Sequence, residues 1–80
     1  MTNNEIILKN IMSKIFNINP EDINNESSMD TIETWDSVKH LNLVLAIEDT
    51  FKVSLSEDQA VEIISYPLIK LVLTEHHINF

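Results

Sequence analysis

Eighty residues pass without a single glycine, and that absence constrains the fold more than any other property of the chain. Glycine takes left-handed backbone angles at no steric cost, so its absence favours helices joined by few tight turns. It also excludes Gly-rich phosphate loops. Only two prolines occur, and cysteine is absent, which rules out disulfides and thiolate metal sites. The apolar share of 44% is that of a globular chain rather than a disordered one. A chain this short buries a modest core. With no internal repeat and no composition shift, one domain over residues 1–80 is expected.

The apolar spacing supplies the helices. Ile7, Leu8, Ile11, Met12, Ile15 and Phe16 recur at helical intervals and predict a first helix over about residues 4–16, capped by Asn3 or Asn4. Glu5, Lys9, Asn10, Ser13 and Lys14 take its other face. Residues 17–36 read as a long loop rich in Asn and Ser, with a short helical turn near Pro20-Glu21-Asp22. Ile18, Ile23, Met29 and Ile32 are spaced as anchors that pin the loop to a core, and a loop of this length is often functional. Ser56-Glu57-Asp58-Gln59 is a capping box, predicting a short third helix over about 57–64 with Ala60, Ile63 and Ile64 inward. Pro67 fits only the first turn of a last helix, about 67–77, with Leu68, Ile69, Val72 and Leu73 facing the bundle.

The stretch Trp35-Asp36-Ser37-Val38 opens the second helix, from about Ser37 to Phe51. A serine here serves as an N-cap, a role worth ~1 kcal/mol. At 100° per residue, Lys39, Asn42, Ala46, Asp49 and Thr50 share one arc, and Leu43, Val44, Ile47 and Phe51 form an apolar side assigned to the core. Val38, Leu41 and Leu45 lie on another side, towards Ser37 and Glu48. A helix apolar over so wide an arc is either central to a bundle or offers a second surface to a partner.

The net charge of -8 repels nucleic acid and anionic membranes and attracts basic protein surfaces. Neither a signal peptide nor a membrane span is read in the chain, so a cytoplasmic location is expected. Two chemistries compete for the polar residues. Asp22, Asn24, Glu26, Ser28, Asp30 and Glu33 fall on the ligand positions of a calcium-binding EF-hand loop, but the position that needs glycine is Ser27, and Pro20 interrupts the preceding helix. Ser37 and His40, one helical turn apart beside Asp36, carry the residue types of a hydrolase. They lack a nucleophile elbow and room for a cleft beside so small a core. His76 and His77 diverge around a helix and read as a solvated tail.

Asp36-Ser37-Val38 running into Leu41, Glu48 and Phe51, with the preceding amphipathic helix, the long polar loop, the capped third helix and the last helix, resembles the acyl carrier proteins over nearly the whole chain. The resemblance implies an all-α four-helix bundle with a short third helix. It implies that Ser37 carries 4′-phosphopantetheine, attached from coenzyme A by a phosphopantetheinyl transferase, with Asp36 beside it. It also implies that Val38, Leu41, Leu45, Glu48 and Asp49 form the partner-facing side of the helix. Such a chain is a monomeric carrier, not an enzyme. It holds acyl groups as thioesters for acyl-transferring or acyl-activating enzymes of fatty acid or secondary metabolite synthesis, with no metal site of its own. Trp35 departs from the family pattern, which often has a small residue there, and Lys39 and His40 make the start of the helix less acidic. The alternatives are a small EF-hand-like calcium-binding module and an unmodified helical interaction domain.

Overall fold

A computed structural model describes residues 2–80. Four α-helices follow in order: α1 (Asn3–Phe16), α2 (Ser37–Phe51), α3 (Glu57–Glu62) and α4 (Tyr66–Glu75), with a single 3₁₀ turn at Pro20–Asp22. The all-α bundle expected from the sequence is the observed fold. Its boundaries differ where capping chemistry decides them. Thr2, not Asn3 or Asn4, caps α1: its extended backbone lets Oγ1 accept from the Glu5 amide at 3.2 Å, while both asparagines are already helical. α3 ends at Glu62 and α4 at Glu75, each short of the expected 64 and 77. The box on α3 forms as read, with Ser56 and Gln59 each bonding the other's backbone N–H.

Without glycine, the two longest helices end on non-glycine residues in the left-handed region. Asn17 closes α1 at φ 56° and Lys52 closes α2 at φ 57°, each returning its N–H to the last turn. Asparagine visits this region readily, whereas lysine does so at a cost of roughly 1–2 kcal/mol.

The core is one cluster. Leu8, Met12 and Phe16 of α1, Leu43 and Ile47 of α2, and Tyr66, Ile69, Val72 and Leu73 of α4 are buried together with Ile63. The loop adds Ile23, Ile32 and Trp35. Ile7 and Ile64, expected inside, are exposed: Ile7 sits at the edge of the apolar arc of α1, and Ile64 lies beyond the end of α3, in the segment that leads to α4. Phe51, expected in the core, is half-buried. Its ring lies 6.4 Å from that of Phe80, so it sits at the rim beneath the C-terminal tail. That tail is docked, not solvated: Ile78 and Phe80 pack on the core, and Asn4 Nδ2 donates to the Asn79 carbonyl at 2.9 Å. His76 likewise reaches Gln59 Oε1 at 3.0 Å, tying the end of α4 to α3.

One polar cluster clamps α1 to α4. The Tyr66 hydroxyl donates to Glu5 Oε2 at 2.9 Å, Lys70 Nζ lies 3.6 Å from the same oxygen, and Lys9 and Lys70 both face the Tyr66 ring. The Tyr66 hydrogen bond, then the Lys70 and Lys9 charges, outweigh partial desolvation and hold Glu5 below the ordinary glutamate value of 4.5. Burial first, and the Glu5 carboxylate second, push the Tyr66 hydroxyl above its usual 10.

Two predictions follow from this packing. Phe16→Ala should cost about 3–5 kcal/mol in urea unfolding, and rim-placed Phe51→Ala about half as much; equal losses would place Phe51 in the core. Glu5 has a lowered folded value, so its contribution is present above the ordinary carboxylate range and is lost as pH falls through the folded value. Tyr66→Phe should therefore flatten the fall in Tm between roughly pH 5 and pH 3. An unchanged acid limb in thermal melts at stepped pH would remove Tyr66 as the cause.

Candidate functional site

The start of α2 is assembled by the end of the loop. Asp36, not Ser37, is the N-cap: at φ -111° and ψ -175° its Oδ1 accepts from the Lys39 amide at 2.8 Å. Both residue types cap helices, and only the backbone angles decide between them. Ser37 is therefore the first helical residue. Its side chain is exposed, and its hydroxyl makes no hydrogen bond among the described residues. The first-turn N–H groups beside it carry the positive end of the α2 dipole, which favours an anion at this place.

Trp35 fixes this start from below. It keeps 3% of its surface, and its ring stacks on Phe16 with centroids 4.6 Å apart. Its Nε1–H donates to His40 Nδ1 at 3.1 Å. An indole N–H can only donate, so His40 accepts there and carries its proton on Nε2, which donates to the Ala60 carbonyl at 2.7 Å. Neither imidazole nitrogen is left for Ser37. The Ser37–His40 pairing of a hydrolase is not formed.

Ser37 and His40 line a cleft of about 360 Å³ with Met29, Leu41, Val44, Ala60, Val61 and Ile64. Its walls are the outer side of α2 and the apolar side of α3, and its lining is almost wholly apolar. Sequence reasoning missed this cleft. The signal available was the apolar Val61 and Ile64, at the end of and just beyond a helix that contributes no buried residue.

The residues expected on the partner side divide. Val38, Leu41 and Leu45 are 69%, 59% and 56% exposed and make an unpartnered apolar stripe. Asp49 is exposed at its edge, 3.9 Å from an equally exposed Lys52. Glu48 differs: it is half-buried, and its Oε2 accepts from the Leu55 amide at 2.8 Å, holding the chain that leaves α2.

The loop geometry differs from that of an EF-hand. A single 3₁₀ turn, not an α-helix, leads into the loop. Asn24 Oδ1 and Ser28 Oγ accept from the Glu26 and Asp30 amides, so these oxygens close turns. The loop encloses a hollow of about 470 Å³ lined by Asp22, Glu26 and Glu33, and Ser37 is not part of it. No group of three or more His, Cys, Asp or Glu among the described residues is placed to hold a metal.

No model of a protein family matches the chain. The fold is similar to the solution structure of a holo acyl carrier protein from Geobacter metallireducens, with a TM-score of 0.71, covering 95% of this chain and 94% of that one at 21% identity. The sequence is 41% identical over 61 residues to the acyl carrier protein of Buchnera aphidicola subsp. Schizaphis graminum, covering 75% of this chain and 76% of that protein. At that identity and coverage, the chain belongs to the acyl carrier protein family.

Proposed function

We propose that Ser37 carries 4′-phosphopantetheine and that residues 1–80 act as one carrier domain without catalytic activity of its own. The observation that carries this reading is the Ser37 hydroxyl itself: exposed, with no hydrogen-bond partner among the described residues, beside Asp36 and at the mouth of an apolar cleft. When bound, the group supplies the thiol that this cysteine-free chain lacks, on which acyl cargo is held as a thioester. The chain's own residues fit it. The N-terminal end of α2 favours the phosphodiester. Asp36 keeps the helix capped whatever the serine bears, and the cleft offers an apolar cargo shelter from water.

A phosphopantetheinyl transferase is the expected modifying partner, and acyl-transferring or acyl-activating enzymes of the cytoplasm are the expected users. Among the described residues, no helix is long and apolar enough to cross a membrane. Val38, Leu41 and Leu45 would meet these partners at their apolar centre, with Asp49 steering a basic rim. Glu48 contributes charge to that side, but its carboxylate also holds Leu55. A charge reversal at Glu48 would therefore disturb the fold as well as the encounter.

Incubation with coenzyme A, magnesium and a broad-specificity transferase should add one arm to the wild-type chain and create one thiol. Ser37→Ala should accept none. Because Asp36 is the cap, this variant should melt within about 0.5 kcal/mol of wild type. Peptide mapping of the adduct to Ser13, Ser27, Ser28, Ser54, Ser56 or Ser65 would defeat the proposal, as would a wild type that stays unmodified. An unmodified helical interaction domain is what that last result would leave.

Docking is tested separately. Asp49→Lys should slow the transferase several-fold at low salt, with the difference closing as ionic strength rises. Its pair with Lys52 is solvent-exposed and worth little, so helix content should not change. A rate that ignores the reversal at every salt concentration would remove this side of α2 from the encounter.

A further inference from the structure

α3 is the most lightly held element of the bundle. It has six residues and none is buried. Its first turn is satisfied by the Ser56 box, but its last carbonyls are not satisfied within the helix. Ile64 N–H turns back to the Glu62 carbonyl at 2.8 Å, which leaves the Ala60 carbonyl without the partner a longer helix would provide. That partner comes from α2: His40 Nε2–H, at 2.7 Å. The other direct side-chain tie to α3 from another helix, among the described residues, is His76 to the neighbouring Gln59, which does not line the cleft.

His40 is in turn aligned. Its ring lies at 19° to the Trp35 indole with centroids 6.1 Å apart, and the Trp35 N–H fixes which nitrogen faces α3. Trp35 is itself immobilised against Phe16. One line of contacts thus runs from the core of α1 through Trp35 and His40 to the C-terminal end of α3, and its last link crosses the cleft beside Ser37.

We propose that His40, aligned by Trp35, is a positioning residue that latches α3 across the cleft and thereby sets how long an apolar cargo the cleft accepts. The cargo half rests on the carrier reading of Ser37; the latch half does not. Deep seating of a chain between Leu41 and Val44 on one wall and Val61 and Ile64 on the other requires the walls to part; the His40–Ala60 bond joins those walls directly, while the Met29 N–H to Ile64 carbonyl bond ties Ile64 to the loop and not to α2.

The test separates these halves. In the unmodified full chain, His40→Phe keeps a ring to stack on Trp35 but loses both hydrogen bonds. Amide exchange of Val61 to Ile64 should accelerate roughly five- to tenfold, with α1 and α4 amides unchanged. His40→Gln, whose Nε2 can again donate to Ala60, should restore most of the protection; a merely space-filling role would not be rescued this way. Next, straight-chain acyl arms from butyryl to dodecanoyl are attached from acyl-coenzyme A, with intact mass confirming each. Amide shifts in α3 should stop changing at a given length in wild type and His40→Gln, and at a longer one in His40→Phe. Phenylalanine is larger than histidine, so cleft volume alone predicts the reverse order. Exchange in His40→Phe equal to wild type overturns the latch, and an equal or shorter limiting length overturns its control of cargo. A wild type that accepts no arm overturns the carrier reading and the cargo half with it, while the exchange rates still decide the latch.

Discussion

The indole of Trp35 is the contact on which the arrangement of this bundle depends. Ordering the backbone costs about 1–2 kcal/mol per residue, and residues 17–36 recover little of that through regular structure. The cost is offset by side chains driven inward, Ile23, Ile32 and Trp35, and by local turns that satisfy the loop's own amides. Two further backbone bonds lash the loop to the segment between α3 and α4: Met29 to Ile64 and Tyr66 to Ser27. Trp35 comes last in that series. Since Asp36 and Ser37 follow it directly, seating the indole on Phe16 determines where α2 begins.

α2 then divides its circumference between two tasks. Leu43 and Ile47 are fully buried and anchor the helix. The opposite arc remains apolar but outside, and it is continuous with the cleft under α3. The carrier role proposed for Ser37 needs both properties: a rigid seat for the serine, and a surface that partners can cover and leave. Glu48 stands at the junction, facing outward by its position on the helix yet bonded inward to Leu55.

Local patterns were legible in the sequence. The 3.6-residue periodicity located the long helices, the Ser56–Gln59 box marked α3, and Pro67 marked the first turn of α4, because each depends on residues within a few positions of one another. The Asp36-Ser37 choice was not legible, since both residues cap well and the decision lies in backbone angles. Nor were contacts made across the chain. His40 reaches Ala60 twenty residues on, and Tyr66 reaches Glu5 across sixty-one. Spacing alone therefore set a serine and a histidine one turn apart and put Glu5 on the polar face of α1, with no sign of the partner of either His40 or Glu5. The interior of Trp35 was equally hidden, because an isolated aromatic in a polar loop has no period to betray which way it points.

The cap on Asp36 has a consequence for the thermodynamics of any modification at Ser37. Two equilibria, folding and substitution at an oxygen, are linked through interactions that the oxygen, or the group it gains, makes in one state and not in the other. Ser37 Oγ makes none among the described residues, so the coupling free energy through it is close to zero. Had the serine been the cap, each round of substitution would have removed about 1 kcal/mol from the helix start. As built, substitution at this oxygen removes no cap, so a shift in melting point on modification reports the contacts of the added group itself, at the α2 N-terminus or in the cleft, and not damage to the helix start.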